Sequence, residues 1–302
     1  MYCNACGGYP HRIGQARKSP GPDPAVTLCG PCRPVPNPVS PTPIAVNLNL
    51  WRTLVAQDLA ARYRGTLLGR AWPVLMPLVM LAVYGFVFGA VFRARWPGVA
   101  EGDHLGFGLN LFAGLLVHGL LSETVGQAPG LLLRNSNFVR KMVFPLPVLV
   151  AVPLGSALVH ALLGLLLLAV VNALAGSGLH ASVLALPLIV LPYLMMLYGL
   201  ALGFAALGVY VRDLGQITGV LVVLALFTGA VFFPRAMVPA GFAGIVDYNP
   251  ITWPIENLRG ALLLGVWPSL AGLAIYTAAA LAVLGLGWWS FSSLKRGFAD
   301  VM

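Results

Sequence analysis

The chain has 302 residues, 59% of them hydrophobic and 9% charged, where a soluble domain carries roughly 45–50% apolar and about 25% charged residues. That balance excludes a soluble enzyme, and eighteen Lys and Arg against nine Asp and Glu exclude an acidic disordered protein or a solvated coiled coil. What remains is a membrane protein, whose net charge of +9 records orientation in the bilayer rather than a nucleic-acid surface.

Residues 1–46 stand apart. They hold all four cysteines, ten of the prolines and no apolar run. A secretory signal needs an apolar stretch of about 7–15 residues, so the amino terminus is expected in the cytoplasm. Cys3-Asn4-Ala5-Cys6 and Cys29-Gly30-Pro31-Cys32 each place two thiolates on one tight turn, the pattern by which two turns share a tetrahedral zinc. The 22 residues between them slightly exceed the usual spacing of about 15–20, a difference that costs little entropy. Segment 1–33 is therefore expected to be zinc-ribbon-like, with structural zinc on Cys3, Cys6, Cys29 and Cys32 and His11 as a substitute ligand. Two other readings stay open. Cys29 to Cys32 has the sequence of a thioredoxin site, although Arg33-Pro34-Val35-Pro36 cannot begin the helix that chemistry needs; the other is a basic tail with incidental cysteines. Residues 34–46 read as an extended proline-rich linker.

From residue 47 to 302 the pattern is that of an all-α membrane domain. Over 48–68, Trp51, Val55, Leu59, Tyr63 and Leu67 lie four apart on one face, with Arg52, Gln57, Asp58, Arg62 and Arg64 elsewhere. This predicts an amphipathic helix at the cytoplasmic interface, capped by Asn47 or Asn49. Six transmembrane spans follow at about 71–92, 107–127, 144–172, 182–210, 216–233 and 268–291, each near or above the roughly 20 residues that cross a bilayer. Between spans two and three, 129–144 reads as a short basic cytoplasmic helix ended by Pro145 and Pro147. Residues 234–267 are too broken by proline for a span and too apolar for a free loop, which predicts two short re-entrant or interfacial helices.

Orientation follows from the short loops. Arg52, Arg62, Arg64, Arg70, Arg134, Arg140, Lys141, Arg212, Lys295 and Arg296 share the amino-terminal side; Arg93, Arg95, Arg235 and Arg259 lie opposite, partly matched by Glu101, Asp103, Asp247 and Glu256. The excess places both termini in the cytoplasm. None of the three lysines stands in a Gly-x-x-x-x-Gly-Lys-[Ser/Thr] loop, and neither His-Glu-x-x-His nor Gly-x-Ser-x-Gly occurs, so no nucleotide is expected on this chain and no catalytic constellation is visible. The ionisable groups within spans are Glu123, His118 and His160, too few for a proton-coupled pump. The plain alternative for both histidines is a neutral imidazole bonded to a neighbouring helix.

The run Arg62-Tyr63-Arg64-Gly65-Thr66-Leu67-Leu68-Gly69-Arg70-Ala71-Trp72-Pro73-Val74-Leu75-Met76-Pro77-Leu78 resembles the start of the permease subunits of ABC-2-type polysaccharide exporters, the O-antigen and teichoic-acid group. Glu123, the stretch Asn135 to Pro145, Val211-Arg212-Asp213-Leu214 and the stretch Asn249 to Arg259 agree in order and spacing. The resemblance covers about 47–302 and leaves out the cysteine segment. It implies a homodimer of six-span halves in the bacterial cytoplasmic (inner) membrane, driven by a separate ATP-binding subunit, moving a lipid-linked glycan outward. On it, Asn135, Asn137, Arg140 and Lys141 would meet the ATPase.

Two candidate substrate sets come from the residues themselves. Arg62, Arg64 and Arg70 lie at headgroup depth, where guanidinium forks suit a pyrophosphate, or simply anchor the helix on anionic membrane lipids. Tyr84, Phe88 and Phe92 share a face of span one and could stack on sugars or pack between helices. Gly85-x-x-x-Gly89 and Gly199-x-x-x-Gly203 permit close helix contact. An exporter of drugs or small lipids, and a membrane-embedded enzyme or scaffold, are the alternatives in function.

Overall fold

The computed structural model describes residues 43–65, 69–91, 96, 103–136, 145–175, 178 and 180–298; Cys3, Cys6, Cys29 and Cys32 lie outside them. The described residues form helices α1 (Pro43–Tyr63), α2 (Trp72–Tyr84), α3 (His104–Arg134), α4 (Leu146–Leu174), α5 (Leu186–Tyr210), α6 (Leu214–Thr228), α7 (Ala243–Asp247), α8 (Thr252–Arg259) and α9 (Leu270–Leu294). α2 continues as a π-helix, Gly85–Val91, and α8 as another, Gly260–Leu264. Among the described residues four stretches are long and apolar enough to cross a membrane: His104–Arg134, Leu146–Leu174, Ala181–Tyr210 and Leu270–Gly297. The helices Trp72–Val87 and Leu214–Thr228 are apolar but shorter.

α3 is the centre, packed on α2, α4, α5, α6 and α8. Leu109, Phe112, Ala113, Val117, Leu120 and Leu121 from it meet Tyr193, Leu197, Ile255 and Leu258 in one buried cluster. α9 lies on α5 along small residues: a methyl group on Gly199 would come within 2.6 Å of the Leu284 backbone, so only glycine permits this approach. The Gly199-x-x-x-Gly203 spacing thus joins two helices of one chain.

Several boundaries differ from the sequence reading. α1 begins at Pro43, so Asn47 and Asn49 lie inside it rather than capping it, and it ends at Tyr63, five residues short of the predicted 68. The stop comes at Gly65, whose φ of 80° a side chain would resist. α3 does not end at 127. It runs through the buried Pro129 to Arg134, so the first part of the predicted separate helix 129–144 belongs to it. At Pro129 the helix packs closely on α5, which presents Gly208 against its backbone, where a side chain would collide. Asn135 closes the helix, its side-chain amide donating to the Leu131 carbonyl at 2.9 Å. The predicted fifth span, 216–233, appears as a helix that stops at Thr228. The following Ala230 and Val231 are fully buried and non-helical, which a membrane protein permits where neighbouring groups take up the freed carbonyls.

The broken stretch 234–267 supplies those groups. It folds as a 3-10 turn at Arg235–Met237, then α7, α8 and the second π-helix, close to the short helices the prolines predicted. It is held on α9 by Trp253 stacked on Tyr276 with ring centroids 4.6 Å apart, and by the Tyr276 hydroxyl donating to the Pro250 carbonyl at 2.8 Å. The irregular hydrogen bonding of the π-helix leaves carbonyls to be matched from outside. Ser182 donates to Ala261 O at 2.6 Å, and Asn172 donates to Leu262 O at 3.4 Å.

Candidate functional site

The richest polar cluster joins α1 to α3 and α4. The half-buried face of α1 carries Trp51, Leu54, Val55, Asp58, Leu59, Arg62 and Tyr63, at the three- and four-residue spacing of one helix side. Trp51, Val55, Leu59 and Tyr63 were legible in the sequence, whereas Asp58 and Arg62 were expected off that face and are corrected to the packed side, which Leu54 also joins. Gly155 of α4 makes the approach possible, since a side chain there would collide with Val55 and Trp51 at 2.6 and 2.7 Å. Trp51 Nε1 donates to Ala151 O at 2.9 Å.

Beyond these contacts the polar chain begins. Ser156 Oγ donates to Asp58 Oδ2 at 2.6 Å, and Arg62 reaches the same carboxylate oxygen at 2.9 Å. Arg62 also pairs with Glu123 of α3, which holds His160 Nδ1 at 3.1 Å through its other oxygen. The remaining nitrogen of His160 lies 2.9 Å from the Tyr63 hydroxyl. Three helices therefore meet at Glu123, which is 18% exposed. Removing Arg62 would leave the Asp58 and Glu123 carboxylates without their cation, so the network acts as a fastening of α1 onto the spans. His118 does what the plain alternative described: its Nε2 lies 3.0 Å from Val222 O on α6.

The other predicted site residues are scattered. Arg64 is exposed. Tyr84 is half-buried against the cluster of Trp96, Phe107 and Leu111. The side chains of Arg70 and Phe88 lie outside the described residues, as do Phe92, Asn137, Arg140 and Lys141. Among the described residues no group of three His, Cys, Asp or Glu side chains is placed to hold a metal.

At the opposite end of the bundle two arginines differ sharply. Arg235 is exposed and bonded to Asp247, with Nη2 to Oδ2 at 2.6 Å. That hydrogen bond holds the Asp247 carboxyl below its ordinary value. Arg259 was counted as a loop charge and is instead 3% exposed. Its Nε donates to Asn110 O at 2.8 Å, Nη1 to Ala230 O at 2.6 Å and Nη2 to Val231 O at 2.7 Å. Glu256 stands 3.5 Å away and the Trp96 ring lies 4.4 Å beneath the guanidinium carbon. The nearby sequence signal for this burial was the apolar run 261–264 that follows the arginine.

Similar proteins agree with this architecture. The ABC-2 type transporter family profile matches residues 49–263, from within α1 to within the second π-helix. The O-antigen export system permease protein RfbA of Klebsiella pneumoniae is 26% identical over 259 residues, spanning 84% of this chain and 95% of that protein. RfbA of Myxococcus xanthus is 27% identical over 250 residues, spanning 82% and 93%. The polysialic acid transport protein KpsM of Escherichia coli is 23% identical over 237 residues, spanning 76% and 88%. A matched region that takes in most of the fastened helix, three of the four long apolar helices and most of the broken segment before the last leaves one assignment: the chain belongs to the ABC-2 type transporter family, as a multi-pass permease subunit.

Proposed function

We propose that this chain is the membrane half of a two-component ABC exporter that carries a lipid-linked polysaccharide outward across the bacterial inner membrane. The observation that carries the reading is the near full-length match to permeases named for O-antigen export. Two copies form the pathway, each crossing six times with both termini in the cytoplasm, α2 and α6 supplying the two shorter crossings. The energy comes from a separate ATP-binding subunit docked on the basic stretch Asn135, Asn137, Arg140 and Lys141. Arg64 and Arg70 lie where an anionic lipid headgroup would arrive, while Arg62 is held by Glu123 and Asp58 and serves the fastening of α1. The cysteine segment binds one structural zinc through Cys3, Cys6, Cys29 and Cys32.

The test is made in cells that build the glycan, lack this chain, and receive it back together with its ATPase. Surface glycan is read with an impermeant label. Restoration that depends on both subunits is the expected result. If the glycan reaches the surface equally well without the chain, and the chain instead lowers the uptake of amphiphilic compounds, the substrate is a small molecule. Topology is read separately in a cysteine-free background. Cysteines at Gly98 and Ser177 label from outside and one at Ser292 only after lysis; labelling of Ser292→Cys in intact cells contradicts the six crossings.

A further inference from the structure

Arg259 is a buried charge that no step of the proposed transport uses. It ends α8, and its acceptors belong to separate parts of the chain: Asn110 on α3, and Ala230 and Val231 in the turn after α6. Trp96, from the connection between α2 and α3, covers its face. Space for the guanidinium is kept by Gly114, where a methyl group would come within 2.7 Å of Nη2 and 3.1 Å of Val231 Cα. The end of α6 receives a second clasp from the same broken segment, since Asn249 Nδ2 donates to Ala225 O at 3.0 Å and to Thr228 Oγ1 at 2.8 Å.

We propose that Arg259 is a positioning residue for transport, the pin that keeps this end of the bundle shut. A guanidinium bonded to three carbonyls, with the Glu256 carboxylate 3.5 Å away, is tolerated in the interior only while its N–H groups are matched. Drawing α8 away from α3 breaks the Asn110 bond and leaves a donor that water must enter to satisfy. The site is therefore stable in two forms, dry with all three carbonyls bound, and wet with the helices parted. An apolar plug of the same size would have only the dry form. What moves through the parted end rests on the exporter reading above; the pin itself does not.

The test uses the whole permease with its ATPase subunit, Cys3, Cys6, Cys29 and Cys32 replaced, and one reporter, Ala113→Cys. Ala113 is fully buried on α3 beside Gly114. Sealed vesicles of each orientation receive an impermeant thiol reagent, and ATP hydrolysis per glycan exported is measured in parallel. Arg259→Lys keeps the charge and loses the fork. Gly114→Ala keeps Arg259 and displaces it, so it carries the test even if Arg259→Lys does not accumulate. Both variants are expected to label the reporter about tenfold faster than the parent, the worth of one bond to a charged group, and to hydrolyse more ATP per glycan. Gly119→Ala, on the same helix with nothing within 4 Å of the added methyl, behaves as the parent. If both test variants lose thermal stability while reporter labelling and the ATP ratio stay within twofold of the parent, Arg259 is structural only and the proposal falls. If the reporter responds as expected but the parent complex exports no glycan, the pin stands and the substrate reading falls.

Discussion

Replacing Glu123 by Gln asks how firmly α1 is fastened. Glutamine keeps the shape and an acceptor oxygen for Arg62, removes the charge, and turns the end facing His160 into an N–H donor, which the imidazole meets by carrying its proton on the nitrogen beside Tyr63. A hydrogen bond to a charged group contributes about 1.5–3 kcal/mol and a neutral one about 0.5–1.5, so losing the carboxylate charge costs about 1 kcal/mol at each of its two contacts. Asp58 remains 2.9 Å from Arg62 and, with Arg62 27% exposed, recovers part of that in solvent. The net change is about 1–2 kcal/mol, which raises the undocked fraction of α1 roughly 5–30-fold. Val55 is 7% exposed and faces Gly155, so Val55→Cys in a cysteine-free chain reports undocking through its rate of thiol labelling. The rate should rise by about that factor in Glu123→Gln and stay put in a control at the exposed Arg134. A Glu123→Gln rate within twofold of the parent would mean that Trp51 and Val55 alone seat the helix and that the ionic chain is incidental.

Gly287→Leu should abolish accumulation of the folded permease, because even its Cβ falls within 2.9 Å of the Gly199 backbone, whereas Gly285→Ala, with open space around it, should accumulate normally by size-exclusion profile. Reversing Arg140 and Lys141 to Glu should leave membrane level unchanged while ATP hydrolysis and glycan export lose their dependence on each other; unchanged export reduces the pair to orientation signals. Purified protein should carry about one zinc per chain, lost on replacing Cys3 and Cys29 together. Protein free of metal under reducing conditions would return that segment to the tail reading.

How much of this could be read in advance depended on whether the deciding partner was near in sequence. α4, α5 and α9 were legible because each is an apolar run long enough to cross a bilayer, bounded by proline, glycine or charge. The stripe Trp51, Val55, Leu59, Tyr63 identified the packed side of α1, yet it could not reveal that Asp58 and Arg62 flank the same side. Their burial is set by Ser156 and Glu123, 98 and 61 residues away. The continuation of α3 past 127 was hidden because the glycine against which Pro129 packs, Gly208, lies on α5. Arg259 misled for a further reason: counting positive charges in loops assumes that a charge between two spans is solvated, and this one is bonded inside the protein. Glu123 was visible as one of three ionisable groups within the apolar spans, though not as the meeting point of three helices.

The early stop of α6 also has a bearing on the order in which the chain can be made. Ala230 and Val231 leave the ribosome before the arginine that accepts the duty of matching their carbonyls, 29 and 28 residues later. At roughly 5–20 residues per second that interval lasts a few seconds, during which these groups cannot rest in hydrocarbon. The end of α6 must wait at a hydrated edge, in the insertion channel or at the headgroups, until α8 arrives. Release of this helix into the bilayer is thus tied to synthesis of Asn249 and Arg259, and a chain cut after α7 should expose its last crossing to quality-control proteases even though every apolar residue of that crossing is present.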